Sequence, residues 1–240
     1  MISIIIPTRN EAGCIRRTLQ EIARALAGSG EEYDIIVMDD ASADLTVAEV
    51  SAESNVNPHV RLVQRAPPHG FGIAIREGIG LAKGDACVIV MGDLSDDLDR
   101  IPEMKRALDA GADLVIGSRF VKGGHVEGYP WAKMVSNRLF SAAMGIGLLH
   151  PISDASNAFR MFRPREALAL GLESHGFEIS GEITGRYIAN GARIREVPVS
   201  WSDRTAGKAK FNLGKEAPKY FALYLKIVRL RYARLLGRTR

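Results

Sequence analysis

Met91-Gly92-Asp93-Leu94-Ser95-Asp96-Asp97 follows a short apolar stretch, Ala86 to Val90, and sets an aspartate-rich cluster at the end of an expected strand. A second acidic pair, Asp39-Asp40, closes the apolar run Ile35 to Met38. Carboxylates at the C-terminal ends of two parallel strands point into one crevice, the usual ligand position in an open α/β sheet. Hard oxygen ligands of this kind suit Mg²⁺ or Mn²⁺ carrying a diphosphate, because Mg²⁺ takes one or two protein carboxylates and completes its shell with substrate phosphates and water. A nucleotide-sugar is the expected ligand.

Outward from these two clusters the first half of the chain alternates strand and helix signals. Ile2–Ile6 reads as a strand ending at Pro7, and Ala12 to Ala27 has helical spacing with Ile15, Leu19, Ile22 and Leu26 on one face. The series continues with strand 33–38, helix 43–54, strand 60–64, helix 72–83, strand 86–91, helix 100–110 and strand 114–116. Repeated βα units with short connections predict a doubly wound, mostly parallel sheet with helices on both faces. Beyond Arg119, the Gly-rich segment 122–130 reads as a loop, 131–149 as an amphipathic or buried helix, and 164–172 and 179–190 as helices, the last weakened by Gly181 and Gly185. A strand over 193–199 and a basic loop over 201–211 complete residues 1–212, expected to form the catalytic domain.

The 240 residues, 46% hydrophobic, suffice for one substantial core. Two cysteines, Cys14 and Cys87, give neither a disulfide framework nor metal-ligand spacing, which points to a reducing compartment. The N-terminus shows no basic region followed by a long apolar one, and 139–149, the longest charge-free apolar stretch, is too short to span a bilayer. The expected location is cytoplasmic and peripheral on the membrane. Net charge is +4, but residues 215–240 hold eight Lys or Arg against Glu216 alone. Residues 213–240 read as a basic amphipathic helix, with Tyr220, Phe221, Tyr224, Leu225, Val228 and Leu235 on one broad face and Lys215, Lys219, Lys226 and Arg229 opposite. Such a helix fits a membrane surface. The competing reading packs it on its own domain or on the membrane helices of an anchoring subunit. No nucleic-acid-binding module accompanies the charge, so no nucleic-acid partner is expected.

Several motifs fail. His69-Gly70-Phe71-Gly72 is no dinucleotide fingerprint, since Ile75 stands where the third glycine belongs, and Gly207-Lys208 lacks the rest of a phosphate loop. An ordered series does hold. Pro7-Thr8-Arg9-Asn10-Glu11 follows the first strand, Asp39-Asp40-Ala41-Ser42-Ala43-Asp44 the second, and Arg65 precedes Gly70-Phe71-Gly72. Then come Asp93, Gly117-Ser118-Arg119-Phe120, Asp154 before Phe159-Arg160, Glu196-Val197-Pro198-Val199, Arg204 and Gly207-Lys208-Ala209-Lys210. Over residues 2–212 this series closely resembles glycosyltransferase family 2, particularly its dolichol-phosphate mannosyltransferase branch.

The resemblance implies a glycosyltransferase A-type fold, a GDP- or UDP-hexose donor, Mg²⁺ or Mn²⁺, inversion at the anomeric carbon and a polyprenyl or dolichyl phosphate acceptor. It implies that Pro7, Arg9, Glu11 and Asp39 or Asp40 line the nucleoside pocket with Arg65 and Gly72, and that Asp93 is the metal ligand. Arg119, Arg204 and Lys208 or Lys210 would hold phosphates, with Ser136 and Arg160 on the acceptor side. The chain departs from the family in three places: Gly92 stands before Asp93 where a first carboxylate is expected, Ser95 replaces a glutamine, and the last loop carries Lys208 and Lys210 about Ala209.

The chemistry favours these residue types. Loss of a diphosphate builds negative charge on the leaving group, which a divalent ion and fixed guanidinium groups stabilise. A phosphate acceptor is already ionised and requires no general base; a sugar hydroxyl does require one, with Asp154 the first candidate. Asp96, Asp97 and Asp99 read as dipole partners of the helix at Arg100 before they read as ligands, with Asp96 or Asp97 left as extra ligands where Ser95 replaces the glutamine. The rival readings are transfer to a sugar hydroxyl in a polysaccharide or glycolipid, and a non-catalytic nucleotide-sugar-binding protein, prompted by Gly92.

Overall fold

The structure is a computed structural model that describes residues 1–203 and 213–237. β1 (Ile2–Thr8) is rich in β-branched residues and buried along its whole length, as expected of a strand covered on both faces. It lies at the centre of three parallel pairings. β2 (Tyr33–Asp39) flanks it with Thr8 opposite Asp39, and β3 (Val60–Gln64) lies beyond β2. On its other side β4 (Ala86–Ile89) sets Ile5 opposite Ile89. The loops after β1, β2 and β4 therefore leave the same edge of the sheet side by side.

The seven-stranded sheet has the order β3-β2-β1-β4-β7-β5-β8. β5 (Leu114–Ser118) and β8 (Ile194–Pro198) pair in parallel. Between β4 and β5 lies β7 (Arg160–Phe162), antiparallel to both neighbours. Three residues offer no readable period, which is why β7 escapes the sequence pattern. The segment read as a loop over 122–130 contains β6 (His125–Glu127), paired in parallel with β9 (Ser200–Ser202). The strand expected to reach Met91 ends at Ile89, so Met91–Asp97 is loop.

Two apolar layers cover the sheet. One packs α1 (Ile15–Leu26) and α4 (Ile101–Asp109) through Ile15, Leu19, Ile22 and Met104. The other packs α3 (Phe71–Leu81) and α7 (Ile179–Ala189) through Ile75, Ile79 and Ile183. Short α2 (Thr46–Ser54) and α6 (Pro164–Ala169) complete the connections.

All eleven residues of α7 are buried, because α5 (Trp131–Leu148) and α8 (Leu213–Leu235) lie over it. The glycines that weaken α7 on propensity are what admits them. A Cβ at Gly181 would stand 2.9 Å from Phe140 and 3.2 Å from Leu223, and one at Gly185 would stand 2.7 Å from Ile227 and 2.8 Å from Met144. Part of the face assigned to a membrane therefore faces inward: Tyr224 and Val228 pack beside buried Leu223 and Ile227, and Tyr220 meets Phe140 edge-on at 4.9 Å. Phe221, Leu225 and Leu235 remain exposed. Among the described residues no helix is long and apolar enough to cross a membrane.

Candidate active site

Three loops at the C-terminal edge of the sheet build one wall of a cavity of about 290 Å³. Each carries a non-glycine residue in the left-handed region beside a polar residue that lines the cavity. Asn10 (φ 50°) lies between Arg9 and Glu11, Ala41 (φ 60°) follows Asp40, and Leu94 (φ 61°) follows Asp93. Such conformations are costly and persist where the surroundings over-determine them, often at functional sites. The first two loops are tied together: Asn10 N–H donates to Ser42 Oγ at 2.9 Å, and Ala43 N–H donates to Asn10 Oδ1 at 2.7 Å.

Asp40 is fixed from three sides. Its Oδ1 pairs with Arg65 and lies 3.0 Å from His69 Nδ1, while Oδ2 accepts from Gly70 N–H at 2.8 Å. Arg65 also forks onto Glu77, at 2.7 and 2.9 Å, and holds that carboxyl below its ordinary range. Arg65 is thus spent on orienting Asp40 and does not line the cavity. Of the Asp39-Asp40 pair only Asp40 lines it; Asp39 is buried, with Oδ2 accepting from Ser42 N–H at 3.2 Å. Gly72 is a packing glycine, since a Cβ there would stand 2.5 Å from the Ser174 carbonyl oxygen.

Met91, Asp93, Ser95 and Asp96 share the same wall. Ser95 steadies Asp93, its hydroxyl donating to Oδ1 at 2.6 Å and its N–H at 3.2 Å. Asp96 accepts from Met91 N–H at 2.8 Å. Asp96 is half-buried, and desolvation pushes its carboxyl up to about 7; Asp93 adds to the rise and the Met91 N–H opposes it. Asp96, read as a helix-dipole partner first and a possible extra ligand second, lines the cavity, whereas Asp97 accepts from Ser200 N–H at 3.0 Å and Asp99 pairs with Arg24 at 2.9 Å. The missing-carboxylate position also shifts. A Cβ at Gly92 would face Ile15, Glu11 and Ile6, while Met91 and Asp93 line the cavity. A first acid able to act with Asp93 therefore belongs at Met91.

Among the described residues no three His, Cys, Asp or Glu side chains are grouped so as to enclose a metal ion. The chemistry of the wall still fits one. Asp93 and half-buried Asp96 would supply the one or two hard carboxylates that Mg²⁺ or Mn²⁺ takes when phosphate oxygens fill the remainder.

The opposite wall is cationic and aromatic. Arg119, at the end of β5, forks onto Asp154 with Nε–Oδ2 2.7 Å and Nη2–Oδ1 2.8 Å, and Nη1 donates to the Tyr129 hydroxyl at 3.0 Å. Burial alone would lower the guanidinium, but Asp154 outweighs it and the net shift is upward. Asp154 is fully buried, its oxygens are taken up by Arg119, and it does not line the cavity, so the geometry does not offer it as a general base. Glu196 on β8 holds the Asp154 loop through the Ser153 and Asp154 N–H groups. Lys133 Nζ lies over the Tyr129 ring at 5.1 Å and near the Trp201 ring at 5.7 Å, and Asn137, one turn along α5, bonds the Tyr129 hydroxyl.

Arg160 and Ser136, expected on the acceptor side, do not line the cavity. Arg160 is fully buried, its guanidinium donating to Asn157 O, Ser180 O and Thr184 Oγ1, and burial pushes it down to about 9. Ser136 donates to the Ala132 carbonyl in its own helix at 2.7 Å. Lys133 and Asn137, on either side of Ser136 in sequence, take its place. Their i,i+4 spacing, which puts both on one face of the helix, was the available signal. Stacked Phe71 and Phe177, centroids 4.8 Å apart, and Tyr220 close the remaining side. Arg204, Lys208 and Lys210 lie outside the described residues.

A sheet of this order, with carboxylates at one edge facing a buried arginine, is a glycosyltransferase A-type fold. Glucosyl-3-phosphoglycerate synthase from Mycobacterium tuberculosis, crystallised with Mn²⁺, UDP-glucose and phosphoglyceric acid, superposes with a TM-score of 0.74 over 95% of this chain and 79% of that one at 18% identity. Residues 3–168 match the glycosyl transferase family 2 model, and the chain belongs to that family. It is 32% identical to dolichol-phosphate mannosyltransferase of Pyrococcus furiosus over 223 residues, 91% of this chain and 61% of that protein. It is 31% identical to polyprenol monophosphomannose synthase of Mycolicibacterium smegmatis over 217 residues, 87% of this chain and 80% of that one.

Proposed function

We propose that the chain transfers a hexose, mannose in the first instance, from a GDP- or UDP-sugar to a polyprenyl phosphate presented at a membrane surface. The observation that carries this reading is that one cavity is lined both by the carboxylates Asp40, Asp93 and Asp96 and by the cations Arg119 and Lys133. Pro7, Arg9, Glu11 and Asp40 line the donor side and would receive the nucleoside, with Asp93 and Asp96 holding a divalent ion. That ion would supply positive charge against the departing diphosphate.

Arg119, whose Nε–Nη2 fork is held by Asp154, and Lys133 would offer positive charge to an acceptor phosphate, with Asn137 beside them. The acceptor oxygen forms the new bond to the anomeric carbon, and the electron pair of the breaking bond leaves on the diphosphate. Arg119 cannot swing freely, because Asp154 and Tyr129 fix it; this preorganisation is what makes a donor effective in the transition state. The names of the Pyrococcus and Mycolicibacterium relatives support the acceptor class. Arg204, Lys208 and Lys210 would add cations from outside the described residues.

One observation favours a hydroxyl acceptor instead. Asp203 lines the cavity and could act as base where Asp154 cannot. Substitution of Lys133 separates the readings. With a polyprenyl phosphate acceptor, Lys133→Ala raises the acceptor KM by roughly tenfold, the loss of one charge-assisted contact, and leaves donor binding unchanged. An unchanged acceptor KM, or an equal loss with Asp203→Asn on a sugar acceptor, contradicts the proposal.

A further inference from the structure

Arg160 is fully buried and has no ion-pair partner among the described residues; its hydrogen bonds go to neutral oxygens, Asn157 O, Ser180 O and Thr184 Oγ1, the last at 2.7 Å. A buried charge without a counter-charge is costly, so the position calls for a reason. Two of these acceptors are carbonyls of residues that line the cavity, Asn157 just before β7 and Ser180 in the first turn of α7. Thr184 closes the ring, its hydroxyl lying 3.1 Å from the Ala155 carbonyl oxygen and 3.2 Å from that of Ser180. Arg160 thus clamps the segment entering β7 to the start of α7.

The clamped residues lie where the transferred group must pass. β7 runs antiparallel between β4 and β5, with Arg160 opposite both Ile89 and Ile116. Counted back along the strand, Ser156, Asn157 and Ala158 fall between the Met91–Asp97 loop and Arg119, and all three line the cavity. The link to the Arg119 side is direct: Asn157 Nδ2 donates to Gly117 O at 2.6 Å, and Gly117 N–H donates to Phe159 O at 2.9 Å. The remaining polar groups here are neutral and uncommitted. Ser156 Oγ is buried without a partner, and neither Asn157 Oδ1 nor Ser180 Oγ takes a hydrogen bond among the described residues.

We propose that Ser156, Asn157 and Ser180 form the subsite that reads the hydroxyl groups of the transferred hexose, and that Arg160 is the positioning residue that holds it in place. A pyranose hydroxyl both donates and accepts, as do a serine hydroxyl and a side-chain amide, so these neutral groups suit a sugar and not a phosphate. The phosphates have their own partners, a metal at Asp93 and Asp96 on one side and Arg119 with Lys133 on the other. The hexose has to lie between them, because its anomeric carbon is bonded to the diphosphate before transfer and to the acceptor oxygen after it. A hydroxyl missing from the sugar leaves its protein partner buried and unpaired, so the subsite selects among hexoses that differ at one position. The assignment rests on the nucleotide-sugar reading; its test uses no acceptor.

The test is calorimetric titration of the full chain, in Mn²⁺ and without acceptor, with GDP, GDP-mannose, UDP and UDP-glucose. The quantity read is the ratio of affinities for the nucleotide-sugar and its bare nucleotide. Ser180→Ala, which removes a single oxygen, is expected to lower that ratio about fivefold and to leave the affinity for the bare nucleotide unchanged. Deoxy analogues of the preferred donor locate the partner: at one sugar position wild type loses about fivefold and Ser180→Ala loses nothing further. Arg160→Lys keeps the charge but cannot reach three acceptors at once, so it should lower the ratio while bare-nucleotide affinity and circular dichroism are retained. Should Arg160→Lys fail to fold, Ser180→Ala and Ser156→Ala decide the matter. A wild-type ratio in all of these variants overturns the proposal, and so does an equal loss for nucleotide and nucleotide-sugar, the mark of a structural role alone. Failure of wild type to bind any of the four ligands would overturn the donor reading itself. A chain whose ratios change as expected but which transfers nothing to polyprenyl phosphate would overturn the acceptor reading alone.

Discussion

At the scale of single residues, metal binding at the cavity depends on which side chains of the Met91–Asp97 loop reach it. Because Met91 shares the cavity with Asp93 while residue 92 faces Ile15 and Ile6, Met91→Asp is expected to tighten Mn²⁺ binding and Gly92→Asp is not; calorimetric titration of Mn²⁺ into both variants decides it. Asp96 makes that binding depend on pH. Its carboxyl is raised to about 7, so it must lose a proton to serve as a ligand, and Mn²⁺ affinity should climb as pH rises through that value. The same sign means that the metal-free fold loses stability as pH rises through about 7, and Asp96→Asn should flatten both dependences. Asp154 has a different task. Asp154→Ala leaves buried Arg119 without its partner and should cost about 3–5 kcal/mol of stability, read from denaturant midpoints, together with loss of transfer. The sequence announced Asp40, Asp93, Glu11 and Arg119 through their places after strands. It could not separate Asp39 from Asp40, or residue 91 from 92, because a one-residue change of direction at a strand end is set by loop conformation and not by composition.

At the scale of elements, the parallel half of the sheet was readable because its βα units repeat a clear hydrophobic period, and the helical face of α1 proved to be its buried face. Strands of three residues were not. β7 exists because neighbours on both sides supply its ladder, and nothing within Arg160–Phe162 specifies it. The α7 helix shows a tertiary override of propensity. Gly181 and Gly185 argue against a helix in isolation, yet they are what lets α5 and α8 approach. Gly185→Val is therefore expected to destabilise the protein by about 1–3 kcal/mol through overpacking against Ile227 and Met144, the reverse of what propensity alone predicts. Leu223→Ala, which opens a space under α8, should cost about 2–5 kcal/mol, and thermal unfolding of the two variants checks both.

At the scale of the whole molecule, carboxylates carried by the loops after β1, β2 and β4 meet the cations Arg119 and Lys133 in one cavity. The tail was legible as basic and amphipathic, but a helix that is apolar around much of its circumference has two apolar directions, and only packing on α7 decides which one remains outside. That is why Tyr224 and Val228 faced inward against expectation while Phe221, Leu225 and Leu235 remained outside. The measurement that bears most directly on the central claim is transfer of labelled sugar from a panel of GDP- and UDP-hexoses into liposomes containing polyprenyl phosphate, with and without Mn²⁺ or Mg²⁺. The expected result is metal-dependent label in the lipid, abolished by Asp93→Ala. Label that appears only in free sugar or in a sugar-hydroxyl acceptor, or lipid labelling that persists in Asp93→Ala without metal, would contradict the account.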